Sequence, residues 1–264
     1  MLKWWIAIMM VMAALLLWQQ PWRQDAVAAT KVTAPMVDSL TAVATPAGMV
    51  NVHVGYDAFC VDFNPTAHRP NCTAYVLTRE RLNGTVARHD QFTADDRVTG
   101  CPPPNAYRGS GLARGHMVPA ADMAWNETAM AQTFFMTNVC PQSSALNSGG
   151  WSKLEEKVRE WAARDSVLVV LAGPVPSATD SVLPSSNVVV PGRFFKVVIA
   201  PTARPRMRAI GFIYDNGPCN RPLRHYAVSV DRVEELTGLD FFKVLPPQVE
   251  ATVERACNLP AWCF

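Results

Sequence analysis

The sequence predicts an α+β fold in which helices are inserted among the strands of a central, mostly antiparallel sheet. Short apolar runs bounded by turn-forming residues indicate strands, at residues 50–56, 72–78, 166–171, 194–200 and 207–214. One helix is indicated just as strongly by apolar residues that recur at its period, Trp151, Leu154, Val158 and Trp161. The chain has 264 residues, of which 49% are hydrophobic and 17% charged, so it can bury a sizeable core.

Local signals place the elements in order along the chain. Residues 64–71 are rich in turn formers, so the run at 72–78 is predicted to return from the first strand as a hairpin. Asn126 is a suitable N-cap for a short helix to about residue 132. Because two glycines precede Trp151, Asn147 is expected at or just before the start of the main helix. Asp231 opens a last short helix, which Gly238 ends.

The N-terminus has the composition of a targeting segment. Lys3 precedes residues 4–18, a run of fifteen uncharged residues that is long for a signal-peptide core and short for a membrane span. A cleaved signal and a retained anchor both fit residues 1–18, and residues 19–48 resemble a linker to a domain at 49–264. We therefore expect export across a membrane, to a periplasmic, secreted or membrane-anchored location.

The seven cysteines fit an oxidising compartment, and no two of them have the Cys-x-x-Cys spacing of a zinc ribbon. Cys60 and Cys72 flank the predicted hairpin turn, which predicts a disulfide between them. Cys219 is a candidate partner for Cys257 or Cys263, and Cys140 is expected to be the free thiol.

Polar residues suited to phosphodiester chemistry are concentrated between residues 114 and 155. His116 follows Arg114 and Gly115, and Asn138, Asn147 and Glu155 come within the next forty residues. A neutral imidazole accepts a proton near pH 7, an amide oxygen is a ligand for a hard cation, and a guanidinium pairs with phosphate. This combination favours metal-assisted hydrolysis of a phosphodiester. The net charge of only +2 argues against a sequence-specific DNA-binding protein, though not against cleavage.

These residues resemble the DNA/RNA non-specific endonucleases, the ββα-metal nucleases that include endonuclease G. The family pattern of Asp-Arg-Gly-His, Asn, and a second Asn before Trp and Leu-Glu is matched by Arg114, Gly115, His116, Asn138, Asn147, Trp151, Leu154 and Glu155. The resemblance extends from about residue 55 to 242 and departs at Ala113, where the family has Asp. It implies the ββα-metal nuclease fold, DNA and RNA as substrates, and 5′-phosphate products.

The resemblance also implies a role for each polar residue. His116 would be the general base that activates water, and Asn147 would be the direct protein ligand of Mg²⁺, or of Mn²⁺ in its place. Asn138 would organise the site near the metal or phosphate, while Arg114 and, on looser local similarity, Arg88 would stabilise phosphate charge. Asp122 is a weaker candidate, as a metal ligand or as a structural residue of its loop.

Glu155 follows Asn147 by eight residues, which a straight helix would separate by about 12 Å along its axis. We expect the helix to begin after Asn147 and Glu155 to act on the ion through an intervening water. Glu156 would point about 100° away around the helix. Two alternatives remain open: a catalytically weakened nucleic-acid-binding protein, for which Ala113 would be the mark, and a hydrolase of another phosphodiester.

Overall fold

A computed structural model describes residues 32–204 and 206–264. The strands in these ranges are β1 (Val52–Gly55), β2 (Phe59–Asn64), β3 (Arg69–Thr78), β4 (Ala113–His116), β5 (Val139–Gln142), β6 (Val167–Val175), β7 (Ser181–Val182), β8 (Val189–Val190), β9 (Arg193–Ala200), β10 (Arg208–Asp215) and β11 (Ala227–Val228). The α-helices are α1 (Ala34–Ser39), α2 (Glu127–Gln132), α3 (Ser152–Asp165), α4 (Val230–Thr237), α5 (Pro247–Arg255) and α6 (Leu259–Trp262). Shorter helical turns lie at Arg79–Asn83, Ala120–Met123, Met136–Asn138 and Leu223–Tyr226, and a π-helical turn at Leu146–Trp151 precedes α3.

Seven strands form the central sheet in the order β1-β2-β3-β6-β9-β10-β11, and every neighbouring pair is antiparallel. The strands β4 and β5 form a separate antiparallel pair, as do β7 and β8. Helices are inserted between the strands, as the sequence predicts. The α+β class and the mostly antiparallel sheet are thus both confirmed.

The middle of the sheet is buried on both faces. In β6, Leu168 and Val170 pack into the core on one face, while Val169 and Leu171 pack into the core on the other. Because successive side chains of a strand point to opposite faces, burial on both sides requires an uninterrupted apolar run. The run in β6 meets that requirement, and this is why the strand was recognisable in the sequence.

The helix α3 covers one face of the sheet with the apolar residues that its spacing predicts. Trp151, Leu154, Val158 and Trp161 are all at most 2% exposed and share one core with residues of β6, β9 and β10. The aromatic ring of Trp161 stacks on that of Phe212, with centroids 6.1 Å apart. This packing fixes α3, and therefore the polar residues at its start, against the sheet.

The opposite face is covered by α1, α4 and α5, and here the sequence-based boundaries were wrong. Val37 of α1 and Leu40 are buried in the core of that face, and Ala44 pairs with Asp240. The chain therefore packs on the domain well before residue 49, within the stretch that was interpreted as a linker. Nor is α4 the last helix, because α5 follows it and buries Val249 and Val253 in the same core.

The predicted hairpin contains one strand more than expected, and this displaces its cysteines. The register of β2 against β3 places Cys60 opposite Ala74 and Cys72 opposite Asp62. The two cysteines are diagonal neighbours, which lie about 7–8 Å apart in a sheet and beyond the usual Cα separation of a disulfide. All seven cysteines are free thiols, so the predicted Cys60–Cys72 disulfide is wrong, and no bridge joins Cys219 to Cys257 or Cys263. The thiol of Cys140 is fully buried in β5.

The short helix α2 begins where the sequence places it. The Asn126 side-chain oxygen accepts a hydrogen bond from the backbone N–H of Ala129 at 2.9 Å, which satisfies one of the free donors of the first turn. A helix of six residues depends strongly on such a cap, since it has few internal hydrogen bonds.

We expect Asn126→Ala to lower the free energy of unfolding by about 1 kcal/mol, because it leaves that donor without a partner. Urea unfolding at pH 7 measures the change. Asn83→Ala is the matched control, since Asn83 is exposed and its side chain makes no hydrogen bond within the described residues. Equal losses in the two variants would show that the cap contributes nothing.

Candidate active site

The Arg-Gly-His sequence forms the strand β4, which pairs with β5. Gly115 lies opposite Cys140, and His116 lies opposite Val139. A Cβ atom on Gly115 would lie 2.0 Å from the side-chain oxygen of Gln142, a residue that is completely buried. Only glycine therefore fits between the two polar residues of this strand, Arg114 and His116.

His116 is enclosed by aromatic rings. Its imidazole meets the ring of Phe134 edge to face, with centroids 4.8 Å apart, and lies 5.1 Å from the ring of Phe92. Its Nε2 is buried without a hydrogen-bond partner. Burial, together with the nearby positive charges of Arg88 and Arg114, lowers the pKa of His116 to about 3. The imidazole is therefore neutral at physiological pH.

The two arginines predicted to contact phosphate flank this histidine. The Arg114 guanidinium lies over the ring of Phe92, 4.2 Å from its centroid, and that of Arg88 lies 5.0 Å from the centroid of Phe134. Each cation thus packs on an aromatic ring that itself contacts His116. Arg114 is exposed, and the side chain of Arg88 is 56% exposed, so both can reach a ligand from solvent.

Asn138 holds the backbone next to His116 and is not exposed to a ligand. Its Oδ1 accepts from the N–H of Val118 at 2.9 Å, and its Nδ2 donates to the carbonyl oxygens of Val118 and Thr133 at 3.0 and 2.9 Å. The residue is completely buried. Its contacts organise the loop after β4, which agrees with the organising half of the predicted role.

Asn147 lies in the π-helical turn before α3. Gly149 has non-helical backbone angles there, and the regular helix begins at Ser152. The side chain of Asn147 is partly exposed and makes no hydrogen bond within the described residues. It is not the N-cap of α3, because the residue in that position is Trp151. The straight-helix separation from Glu155 therefore does not apply, and the amide oxygen is free to bind a ligand.

The turn can approach the sheet closely because Gly150 has no side chain. A Cβ atom there would lie 2.7 Å from the Cβ of Cys219 and 2.8 Å from the ring of Tyr214. From this turn the Trp151 indole donates to the carbonyl oxygen of His116 at 3.2 Å. That hydrogen bond joins the start of α3 to the strand that carries the histidine.

Glu155 points into the protein and Glu156 out of it, as the helical register predicts. The side chain of Glu155 is 17% exposed and faces the buried ammonium of Lys196, with Oε1 and Nζ 3.9 Å apart. Burial raises the pKa of Glu155 to about 7, against the opposing effect of Lys196. Burial likewise lowers the pKa of Lys196, whose Nζ lies 4.4 Å from the centroid of the Trp151 ring.

Asp122 belongs to the same group of buried charges. Tyr75 donates to its Oδ2 at 2.6 Å, and Arg159 donates to its Oδ1 at 3.0 Å. Both carboxylate oxygens are thus occupied by the protein, and the residue is 1% exposed. This arrangement favours the structural interpretation of Asp122 over that of a metal ligand.

Several residues of the site were missed by sequence reasoning. Arg159 lies four residues after Glu155, on the same face of α3, so helical spacing could have found it. Lys196 interrupts an apolar strand, which is a recognisable signal, because a buried lysine needs a partner. Phe92 and Phe134 carried no signal, since aromatic residues in a sequence are usually core residues.

Comparison with known proteins agrees with this geometry. The family described as DNA/RNA non-specific endonuclease matches residues 37–248. The chain belongs to the DNA/RNA non-specific endonucleases. A mitochondrial nuclease of Schizosaccharomyces pombe is 33% identical over 70% of this chain, and a nuclease of Nostoc sp. is 32% identical over 74%. Human mitochondrial endonuclease G is 30% identical over 70%.

A solved structure shares the fold. The crystal structure of the EndoG/EndoGI complex superposes with a TM-score of 0.69 at 22% identity, covering 81% of this chain and 95% of that one. The ββα-metal nuclease fold implied by the resemblance is thereby confirmed. The chain spans 64%, 75% and 67% of the lengths of the fission yeast, Nostoc and human nucleases, so it matches only part of each.

The comparisons contradict the expected location. We expected export to a periplasmic, secreted or membrane-anchored position, but the fission yeast, human and Xenopus laevis relatives are named as mitochondrial nucleases. Residues 4–18, on which the expectation rested, lie outside the described residues. Within residues 32–204 and 206–264, no helix is long and apolar enough to cross a membrane.

The lowered pKa of His116 makes the stability of the fold depend on pH. Its contribution is fully present above the ordinary histidine pKa near 6.5 and is lost as the pH falls toward 3, because the unfolded chain takes up the proton first. We expect His116→Phe, which keeps the aromatic packing, to lose less stability than the wild type between pH 7 and pH 4. Urea unfolding at both pH values measures the difference.

The control for this measurement is His225→Phe, at an exposed histidine outside the site. If His116→Phe loses as much stability on acidification as the wild type, then burial of the neutral imidazole does not contribute to the acid sensitivity.

Proposed function

We propose that this protein is a metal-dependent endonuclease that hydrolyses phosphodiester bonds of DNA and RNA with little sequence preference. The observation that carries the proposal is the environment of His116. A neutral imidazole with a buried Nε2 lies against two aromatic rings, each covered by a guanidinium. The backbone of His116 is joined through Trp151 to the helix that carries Glu155. Such a site can accept a proton and hold phosphate charge at the same place.

The oxygen ligands fit a hard divalent cation. Asn147 offers an amide oxygen with no partner in the protein, and Glu155 offers a partly exposed carboxylate nearby in the chain. Mg²⁺ keeps most of its water and requires few protein ligands, so a single direct ligand at Asn147, with Glu155 acting through water, suits it. Mn²⁺ accepts the same ligands. The bound ion would neutralise phosphate charge and polarise the phosphodiester.

The chain's own residues would perform the remaining steps. Arg88 and Arg114 bind the phosphate oxygens and stabilise the charge that develops on them. His116 takes the proton from the attacking water. Burial above all, and then the charges of Arg88 and Arg114, lower the pKa of His116 to about 3, which makes it a weak base. A phosphate bound between the two arginines would offset their part of this effect and raise the pKa toward the operating pH. The products would carry 5′-phosphates.

Little sequence preference follows from the type of contact. Guanidinium and metal contacts are made to phosphates, which are the same at every nucleotide and carry no sequence information. Groups that could read base edges are not required by this chemistry. The second candidate is a catalytically weakened nucleic-acid-binding protein, because Ala113 stands where the family has Asp and its side chain offers neither charge nor a hydrogen-bonding group.

Cleavage should require a divalent cation. We expect the purified protein to nick and linearise supercoiled plasmid and to degrade RNA in Mg²⁺ or Mn²⁺, and to do neither in excess chelator. Gel assays on both substrates measure this. Full cleavage in chelator would exclude the metal mechanism. Salt-sensitive binding without any cleavage would instead support the weakened binding protein.

Substitutions should separate the roles. We expect His116→Ala to lower turnover by about 10²- to 10⁴-fold with nucleic-acid binding preserved, because the imidazole acts on a proton. Asn147→Ala should raise the Mg²⁺ concentration needed for half-maximal rate. Glu155→Gln should lower the rate strongly, while Glu156→Gln is the matched control, one residue away and exposed. Equal behaviour of the two glutamate variants would contradict the assignment of Glu155.

A further inference from the structure

Three carboxylates that have no lysine or arginine partner in the described part of the chain lie between two helices, on the sheet face opposite α3. Asp231 and Glu234 lie on α4, three residues apart, and Glu254 lies near the end of α5. Each of the three offers a carboxylate oxygen, and these oxygens lie within 4.8 Å of one another. Both helices bury their apolar residues in the core opposite α3, so this group is separate from the residues around His116.

Glu254 is the buried member of this group. Its side chain is only 6% exposed, and its Oε1 is buried with no hydrogen-bond partner. A buried carboxylate normally has a cation or several donors around it, because removal from water strongly disfavours the charged form. Glu254 points instead toward two further carboxylates. A buried carboxylate with one oxygen unpartnered, beside two further carboxylates, is an arrangement that a bound cation would satisfy.

The surrounding charges do not neutralise the group. No lysine or arginine within residues 32–204 and 206–264 forms an ion pair with Asp231, Glu234 or Glu254. Lys243 pairs instead with Asp240, at 2.8 Å on the surface. Arg232, also on α4, pairs with Glu235.

The pKa values report the same excess of negative charge. Burial, and after it the charges of Glu234, Glu250, Asp231 and Asp240, raise the pKa of Glu254 to about 9. Burial also raises the pKa of Glu234 to about 7, against a hydrogen bond from the backbone N–H of Phe241.

We propose that Asp231, Glu234 and Glu254 bind a calcium ion that fastens α5 to α4. Two ligand oxygens that each lie about 2.4 Å from one Ca²⁺ ion are at most about 4.8 Å apart, so the observed spacing is compatible with a shared ion. Several direct carboxylate ligands favour Ca²⁺ over Mg²⁺, which retains its water and requires near-octahedral geometry. Water would complete the coordination. The ion stabilises the C-terminal helices and takes no part in cleavage.

The test compares thermal unfolding of the chelator-treated protein with and without CaCl₂. At a Ca²⁺ concentration about 100-fold above Kd, the wild type should gain about 5–10 °C in Tm. Glu254→Gln keeps the volume and removes the ligand charge, so its Tm in chelator should equal or exceed that of the wild type and should not respond to Ca²⁺. Glu235→Gln, on α4 next to Glu234 but paired outward with Arg232, is the matched control and should respond fully.

Calcium can also bind near Asn147, so the comparison is repeated in an Asn147→Ala background. There the response should persist and should still be lost on adding Glu254→Gln. Calorimetric titration with CaCl₂ should find one site fewer in Glu254→Gln than in the wild type, while its cleavage of DNA in Mg²⁺ is unchanged. Equal Ca²⁺ responses of wild type and Glu254→Gln, or no response in either, would overturn the proposal independently of whether the protein is a nuclease.

Discussion

The site depends above all on the side chain of Trp151. Its indole N–H donates to the carbonyl oxygen of His116, its ring lies under the ammonium of Lys196, and the remainder packs against Phe194 and Tyr214. One residue therefore joins the small β4–β5 sheet, the start of α3 and the central sheet. Because the indole is 1% exposed and rigidly packed, the distance between the histidine strand and the glutamate helix cannot vary much.

The constraint has an electrostatic consequence. His116, Glu155 and Lys196 all lie where burial disfavours the charged form, so the pKa of each is displaced in the direction of neutrality. Positive charge that could face an anionic ligand comes from residues that remain exposed to water, Arg88 and Arg114. Displaced pKa values beside solvent-exposed guanidinium groups are typical of sites built to receive an anion. The buried Tyr75–Asp122–Arg159 hydrogen bonds then hold the adjoining loop in place.

The two faces of the central sheet carry separate cores and separate groups of polar residues. On one face, α3 brings polar residues, Glu155 among them, to the edge of a large aromatic core. On the other face, α4 and α5 present carboxylates to each other above an apolar core. Both faces rely on the same β6 and β9 strands, whose alternating side chains enter the two cores. A change in those strands would therefore disturb both.

The sequence by itself determined the fold class, the main strands, the register of α3 and the family, because each of these rests on local periodicity or on residues close together in the chain. The N-cap at Asn126 and the inward direction of Glu155 belong to the same category. Tertiary structure alone decided how Glu155 is partnered, since Lys196 lies 41 residues away and meets it only across packed layers. It also decided that Cys60 and Cys72 miss each other, because the register of β2 against β3 places each opposite another residue and no local signal reports that register. The packing of residues 34–40 likewise depended on an apolar surface formed by distant strands and helices, which the local composition of that segment does not reveal.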